Sequence, residues 1–171
     1  KMPDETAATI TEDGWLKTGD LGEIDDEGFL RITGRKKEIL VTSGGKNIGP
    51  AAIEGHLATS RYIHQVCVVG DRRHYLTALI SLEPEAIGAY AAQHQVAFSS
   101  VDELGQHPLI KKLIETEIAE RNKSLAPFET IKKFTIVPEF TMDNEMVTPT
   151  LKLKKSVILD RFKDTIDAMY R

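Results

Sequence analysis

Residues 34–49 read GRKKEILVTSGGKNIG, an apolar run with cations at both ends and a Ser-Gly-Gly-Lys turn in its second half. A phosphate-binding loop of the Gly-x-x-x-x-Gly-Lys-Ser/Thr type wraps consecutive backbone N–H groups around an anion. Here Leu40 stands in place of the first glycine and Asn47 in place of the hydroxyl residue, so the pattern fails at two positions. The stretch instead predicts a β-hairpin, with strands at 38–42 and 46–48.

The residues after this hairpin alternate between helix and strand signals. Pro50 suits the first position of a helix that ends near Ser60. Two β-rich runs follow at 65–69 and 76–82, and the second alternates as a half-buried strand does. Pro84 opens another helix. A capping box at Ser100 and Glu103 precedes a longer helix, which is striped by Leu109, Leu113 and Glu117 with Ile110, Ile114 and Ile118 alongside. A strand is predicted at 134–137, and a terminal amphipathic helix runs through Ile158, Phe162, Ile166 and Met169.

The residues before position 34 predict another hairpin, around the acidic turn Asp25-Asp26-Glu27-Gly28. An EF-hand would need a glycine at the sixth loop position and a glutamate at the twelfth, which this turn lacks, so calcium is not predicted. Strand pairs interleaved with helices predict an α+β fold with a small antiparallel or mixed sheet and flanking helices. We expect residues 34–171 to form one domain, and residues 1–33 to be a hairpin that belongs to a preceding domain.

The bulk composition excludes several classes of protein. The 171 residues include 22 Lys and Arg against 26 Asp and Glu, a net charge of −4 that argues against binding nucleic acid by bulk charge. A single cysteine, Cys67, cannot form an internal disulfide, which fits a reducing compartment. No apolar run approaches the roughly 18–20 residues of a membrane span. The chain begins with Lys rather than Met, so we expect it to be a fragment of a longer protein.

Three clusters carry candidate chemistry, and each has a plainer structural alternative. Asp20 is either a turn residue or a carboxylate that accepts hydrogen bonds from a sugar diol. The cations of residues 34–37 and Lys46 either protect an exposed strand edge or contact an anion. The alternating Lys and Leu of residues 148–155 lie at a loop-to-helix junction that is ordinarily surface. The five histidines form no metal-binding pair and no G-x-S-x-G elbow is present, so neither a zinc site nor self-contained hydrolysis is predicted.

Taken in order, these clusters resemble a known family. The patterns W-x-x-T-G-D (15–20), G-R-K-K-E-I-L-V-T-S-G-G-K-N-I-x-P-x-x-I-E (34–54) and T-P-T-L-K-L-K (148–154) are similar to the C-terminal portion of AMP-forming acyl-CoA synthetases. Within these adenylate-forming ligases, G-R-K-K-E and T-P-T-L-K-L-K point to the long-chain fatty acid–CoA ligase branch, as does LAPFETIKKFTIVPE (125–139). The resemblance covers nearly the whole chain.

The resemblance implies two half-reactions, in which a carboxylate and ATP give acyl-AMP and pyrophosphate, and the thiol of coenzyme A then displaces AMP. It places Asp20 on the ribose hydroxyls of the adenylate, with Arg35 beside it. Lys37 aligns with the hinge about which the lid domain moves. Lys152 aligns with the catalytic lysine of adenylation, although Lys154 and Lys155 are close enough that this assignment depends on the register.

The glycine turn (residues 43–45) aligns with the loop that lines the coenzyme A tunnel in such ligases. There the resemblance implies that Ser43, Gly44 and Gly45 let the backbone approach the pantetheine arm. Lys46 stands where many relatives have Arg, so its phosphate contact would be monodentate. ATP with Mg²⁺ would be held mainly by the large N-terminal domain, and no metal site is expected in this chain, which we expect to be inactive alone.

The implied partners are the protein's own N-terminal domain, a fatty acid, ATP and coenzyme A, and no nucleic acid. A cytoplasmic protein is expected, with peripheral membrane contact of the full-length enzyme left open. One alternative is the lid of a fatty-acyl-AMP ligase or another adenylate-forming ligase that loads a carrier protein. A non-enzymatic alternative is an α+β interaction module that binds an anionic partner through its basic edge. Acyl chain length and oligomeric state are not encoded in these residues.

Overall fold

The structure is a computed structural model that describes residues 2–171. Its helices are α1 (Pro3–Thr9), α2 (Pro50–Leu57), α3 (Pro84–Gln93), α4 (Val101–Gln106), α5 (Pro108–Asn122), α6 (Lys155–Arg161) and α7 (Lys163–Met169). Its strands are β1 (Asp20–Ile24), β2 (Leu30–Arg35), β3 (Leu40–Val41), β4 (Asn47–Ile48), β5 (Ile63–Val69), β6 (Leu76–Leu82) and β7 (Ile131–Ile136). The predicted α+β class, with small antiparallel and mixed sheets and flanking helices, is confirmed.

The predicted N-terminal hairpin is present as the antiparallel pair β1–β2. Its acidic turn is closed by the Asp25 carboxylate, which accepts hydrogen bonds from the backbone N–H groups of Glu27 (3.1 Å) and Phe29 (2.8 Å). The apolar side chains of the hairpin are exposed, with Ile24 at 73% and Leu30 at 66% of full accessibility. Within the described residues the hairpin therefore lacks a core of its own, and the boundary at residue 33 stays a prediction.

The centre of the fold is the sheet β5-β6-β7, in which β6 pairs antiparallel with β5 and parallel with β7. We predicted a half-buried β6, and this is wrong, because every residue from Leu76 to Leu82 is buried. One face, with Ala78 and Ile80, packs in a cluster with α2, α3 and α5. The opposite face, with Leu79, packs in a second cluster with α6 and α7. In a strand that is covered on both faces, an alternating pattern of residue types does not indicate a solvent-exposed face.

Several element boundaries differ from those the sequence predicts. The hairpin predicted at 38–42 and 46–48 is shorter than expected, since its strands cover only Leu40–Val41 and Asn47–Ile48, and Glu38 lies in a 3₁₀ turn instead. The first helix after it ends at Leu57 instead of near Ser60. Ser100 caps its helix, with Oγ accepting from the Glu103 N–H at 3.1 Å, but the Glu103 carboxylate accepts from the Ser99 N–H at 2.8 Å and not from Ser100 as in a full capping box. This helix ends before Pro108 begins α5.

The terminal amphipathic helix is also divided, because the chain turns at Phe162 between α6 and α7. The apolar face is nevertheless as predicted, with Ile158, Ile166 and Met169 buried and Phe162 packed against them. The stripe predicted for α5, Leu109, Leu113 and Glu117, is not among its buried residues. The buried stripe is the row predicted alongside it, Ile110, Ile114 and Ile118.

Cys67 is completely buried in the second cluster. Burial raises the pKa of its thiol to about 12, with the nearby Glu54 carboxylate adding to the rise. The thiol therefore stays protonated and acts as a small apolar side chain. Among the described residues, no helix is both long and apolar enough to cross a membrane.

Candidate functional site

Asp20 and Arg35, which the sequence places fifteen residues apart, are brought together by the first hairpin. They are cross-strand partners of β1 and β2, and Arg35 Nε lies 3.1 Å from Asp20 Oδ1. Gly19 precedes Asp20 with φ +76°, and its carbonyl accepts a hydrogen bond from the Lys36 N–H at 2.8 Å. The side chains of Asp20 and Arg35 are 28% and 57% exposed. Solvent therefore weakens the ion pair, and both groups are accessible to a ligand.

The hinge turn (Lys36–Glu38) is a single 3₁₀ turn between the first hairpin and the rest of the chain. The residues on either side of it, Arg35 and Ile39, are both extended, with ψ of 137° and 129°. Lys37 is exposed in the middle of this turn. The chain thus changes backbone conformation twice within five residues at the position where the resemblance implies a hinge.

The glycine turn lies between β3 and β4 and is held by backbone hydrogen bonds. The Gly45 N–H donates to the Thr42 carbonyl at 2.8 Å, and Gly45 has φ +75°, a conformation that favours glycine. Gly44 has no such requirement, since a Cβ placed on it would meet only Thr42 Oγ1, at 4.0 Å. The local fold therefore explains one of the two glycines and leaves Gly44 without a structural reason.

The glycine turn packs against the turn between β5 and β6 (residues 70–75). The Ser43 N–H donates to the Arg73 carbonyl at 2.9 Å, and Ser43 Oγ lies 2.8 Å from His74 Nδ1. Sequence reasoning missed His74, and no local signal marks it, because this contact joins residues 31 positions apart. Lys46 lies on the other side of the turn, with its ammonium 5.5 Å from the centre of the Phe128 ring.

Lys152 is presented by a tight hairpin of its own, the Lys152 hairpin (residues 147–153). An isolated antiparallel bridge joins Val147 to Leu153, and the Lys152 carbonyl accepts from the Thr148 N–H at 2.8 Å. Thr148 Oγ1 in turn accepts from the Lys152 N–H at 3.0 Å, and Leu151 has φ +59°. The backbone of Lys152 is therefore held in place while its side chain is exposed, and its ammonium has no ion-pair partner within residues 2–171.

Lys155 differs from Lys152 in being tied to carboxylates. Its Nζ lies 2.9 Å from Glu54 Oε1 and 3.8 Å from Glu38 Oε2, and its side chain is three-quarters buried. The contact with Glu38 therefore links Lys155, just after the Lys152 hairpin, to the hinge turn. Within the described part of the chain, no three His, Cys, Asp or Glu side chains are grouped as a metal site would require.

Comparison with known proteins identifies the class to which this arrangement belongs. Residues 37–171 match the model of the AMP-binding enzyme C-terminal domain, and the chain belongs to that family. Long-chain-fatty-acid–CoA ligase FadD15 of Mycobacterium tuberculosis is 43% identical over 160 residues, which are 92% of this chain and 27% of that protein. Long-chain-fatty-acid–CoA ligase 1 of Schizosaccharomyces pombe is 34% identical over 97% of the chain and 25% of its own length.

Solved structures agree with this assignment. The adenylation domain of a carboxylate reductase from Mycobacterium chelonae superposes with a TM-score of 0.79 at 25% identity, over 99% of this chain and 25% of that one. A fatty acyl CoA synthetase of Mycobacterium tuberculosis gives a TM-score of 0.53 at 26% identity, over 96% of this chain and 27% of its own. The chain thus spans about a quarter of the length of the proteins it matches.

Proposed function

We propose that this chain is the mobile C-terminal lid, with the last hairpin of the preceding domain, of an AMP-forming long-chain fatty acid–CoA ligase. The observation that carries the proposal is Lys152, whose ammonium is exposed and unpaired in the described structure while its backbone is held in a rigid hairpin. Relatives named as long-chain-fatty-acid–CoA ligases support the substrate class. The family match from residue 37 supports a domain boundary near the hinge turn.

In the first half-reaction a fatty-acid carboxylate attacks the α-phosphorus of ATP, forming acyl-AMP and releasing pyrophosphate. Two negatively charged groups must approach each other, and a positive charge between them lowers the barrier. The Lys152 ammonium supplies that charge on a flexible stem. Asp20 accepts hydrogen bonds from the ribose hydroxyls, and Arg35, whose Nε lies 3.1 Å from Asp20 Oδ1, orients that carboxylate.

In the second half-reaction the thiol of coenzyme A attacks the acyl carbonyl of acyl-AMP, a thioester forms, and AMP leaves. The glycine turn would line the path of the pantetheine arm, where Gly44 adds no side chain. Lys46, already near the Phe128 ring, would offer a positive charge to a phosphate of coenzyme A. Mg²⁺ bound with ATP would be held by the rest of the protein, so we assign no step of this chain to the metal.

The proposal includes a cytoplasmic location, which the single buried cysteine fits, and peripheral contact of the full-length protein with membranes that contain its substrate. A carrier protein is the other acceptor to test, because one solved relative is the A-PCP didomain of a carboxylic acid reductase.

The proposal is tested with the full-length protein by fatty-acid-dependent exchange of pyrophosphate into ATP, followed by thioester formation with coenzyme A. We expect exchange that requires a long-chain acid, and a thioester product with free coenzyme A. Exchange without any thioester to coenzyme A would support the carrier-protein alternative instead. Absence of exchange with every carboxylic acid supplied would contradict the ligase assignment.

Substitution of Gly44 tests the role of the glycine turn. Because Gly44 has an ordinary φ and open space at its Cβ position, we expect the hairpin to accept Gly44→Leu. In the proposed function, the added side chain would obstruct the pantetheine arm. We expect the KM for coenzyme A to rise about tenfold while pyrophosphate exchange is unchanged. The matched control is Gly45→Ala, which meets an unfavourable φ and should mainly cost about 1 kcal/mol of stability. A Gly44→Leu variant that loses exchange and thermal stability together would mean that Gly44 serves only the fold.

A further inference from the structure

Lys155, two residues after the Lys152 hairpin, forms an ion pair with Glu54. The Lys155 ammonium lies 2.9 Å from Glu54 Oε1 and 3.0 Å from Oε2, and the side chains are 24% and 15% exposed. Glu54 Oε1 also accepts a hydrogen bond from the Val68 N–H at 2.9 Å. The carboxylate is thus fixed both to α2, where it originates, and to the edge strand β5.

The same ammonium lies 3.8 Å from Glu38 Oε2, on the last residue of the hinge turn. Lys155 is therefore a junction of four segments: α2, β5, the hinge turn and the start of α6. Helix formation does not explain a lysine there, since a cation in the first turn of a helix is opposed by the exposed N–H groups. The two carboxylates account for its position.

Lys155, the first residue of α6, comes two residues after the return strand of the Lys152 hairpin, which ends at Leu153. That strand is held to its partner at Leu153 by the bridge to Val147, and at Lys154 by an N–H donated to the Met146 carbonyl at 2.8 Å. These bonds fix the hairpin internally but do not attach it to α2 or to the hinge. The ammonium of Lys155 provides that attachment, three residues after Lys152.

We propose that Lys155 is a positioning residue for Lys152, and that it sets the direction in which the Lys152 hairpin projects from the domain. The inference rests on the proposed function, because it assigns Lys152 to the adenylation step. Val147 and Leu153 still pack the base of the hairpin into the second cluster, so loss of the ion pair leaves Lys152 intact and the hairpin folded. It removes the contact that fixes the hairpin relative to α2 and the hinge turn. Only the half-reaction that needs the ammonium in place is then impaired.

The test uses Lys155→Met in the full-length protein, which keeps the length and packing of the side chain and removes its charge. We expect the rate of fatty-acid-dependent pyrophosphate exchange to fall about ten- to hundredfold, as displacement of a reacting group by about 1 Å does. The KM for the fatty acid and thioester formation from supplied acyl-AMP should change by less than about twofold. Lys155→Arg should restore exchange, since it renews the contact with Glu54.

The matched control is Lys112→Met, which removes another lysine from an ion pair, with Glu115 at 2.8 Å on the exposed face of α5. This control should leave both half-reactions unchanged. If Lys155→Met lowers both half-reactions equally and in step with the melting temperature, Lys155 is only a stabilising residue and the proposal is overturned. Unchanged exchange would overturn it as well.

Limited proteolysis gives a result that does not depend on activity. Trypsin cleavage after Lys152, followed by mass spectrometry, should be about tenfold faster in Lys155→Met, because the opening free energy of the hairpin falls. Cleavage after Lys123, which directly follows α5, should not change. Equal rates of cleavage after Lys152 in the wild type and in Lys155→Met would overturn the positioning role, whether or not the full-length protein is active. Absence of ligase activity in the full-length protein would refute the proposed function separately.

Discussion

Replacing Lys152 with alanine in the full-length protein is expected to slow acyl-AMP formation about 10²–10³-fold, which corresponds to about 2.7–4 kcal/mol for one preorganised electrostatic donor. The structure supports a large effect, because the backbone of Lys152 is held by Thr148 while its ammonium has no partner to be lost within the described residues. The substitution leaves the hairpin bonds in place. The loss should therefore come from the missing charge and not from unfolding.

Pyrophosphate exchange measures this first step, and thioester formation from supplied acyl-AMP measures the second. We expect the second to change by less than about threefold, since Lys152 is assigned to adenylation alone. Lys154→Ala is the matched comparison, because its side chain is partly buried two positions away. Equal losses in both half-reactions would contradict the separation of roles. A large loss in Lys154→Ala with normal Lys152→Ala activity would show that the register of the assignment is wrong.

Local sequence patterns predicted the positions of helices, strands and turns better than they predicted which faces are buried. The hairpin at Asp25–Gly28 follows from turn residues whose hydrogen bonds are made within four positions, and the structure has that turn. The burial of β6 on both faces depends on α5 and α7, which lie far away in the sequence, so its alternation gave the wrong exposure. Alternation reports a solvent face only where the fold leaves one.

The divided helices have a related explanation. Pro108 lacks an N–H and restricts the residue before it, so α4 and α5 meet at His107, and Pro108 marks this break in the sequence. The turn at Phe162 has no such marker. There the apolar spacing remained correct across the break, because Ile158 and Ile166 reach the same cluster from two short helices.

In the candidate site, too, residues within short motifs could be predicted from the sequence, whereas their distant contact partners could not. Asp20, Lys37 and Lys152 stand in short patterns that mark them directly in the sequence. Their neighbours do not, since the contact of Ser43 with His74 joins residues 31 apart and the contact of Lys155 with Glu54 joins residues 101 apart. Contacts between residues so far apart depend on the packing of the whole domain, and they produce no local pattern in the sequence.

Under the proposed function, the position of the hinge turn would let one lid domain serve both half-reactions. Lys152 and the glycine turn are on one small domain, each held by its own hairpin bonds, and the adenylate is a single small target. A rigid lid would have to present both at once, whereas rotation about a short linker presents them in turn. Lys37 lies at the centre of the hinge turn, between extended Arg35 and Ile39, and no ion pair holds it among the described residues.

Replacing Lys37 with proline is therefore expected to keep acyl-AMP formation within about threefold and to reduce thioester formation about a hundredfold, because a joint that must rotate between steps is restricted. Proline fixes φ at 37 and disfavours the helical conformation at Lys36, which now lies within the 3₁₀ turn. The Lys36 N–H to Gly19 contact is untouched, so the first hairpin should keep its fold. In the proposed function the rotation follows acyl-AMP formation, so the restricted joint should make acyl-AMP accumulate on the protein.

Rapid quenching of a single turnover measures both steps in one experiment, and acyl-AMP should accumulate in Lys37→Pro. Lys37→Ala is the control, because it removes the same charge without restricting the backbone, and it should give normal rates of both steps. Accumulation in the alanine variant as well would assign the effect to the lost ammonium. Thioester formation at the normal rate in the proline variant would place the pivot elsewhere in the chain. In that case the hinge turn would be a connection whose conformation both half-reactions share.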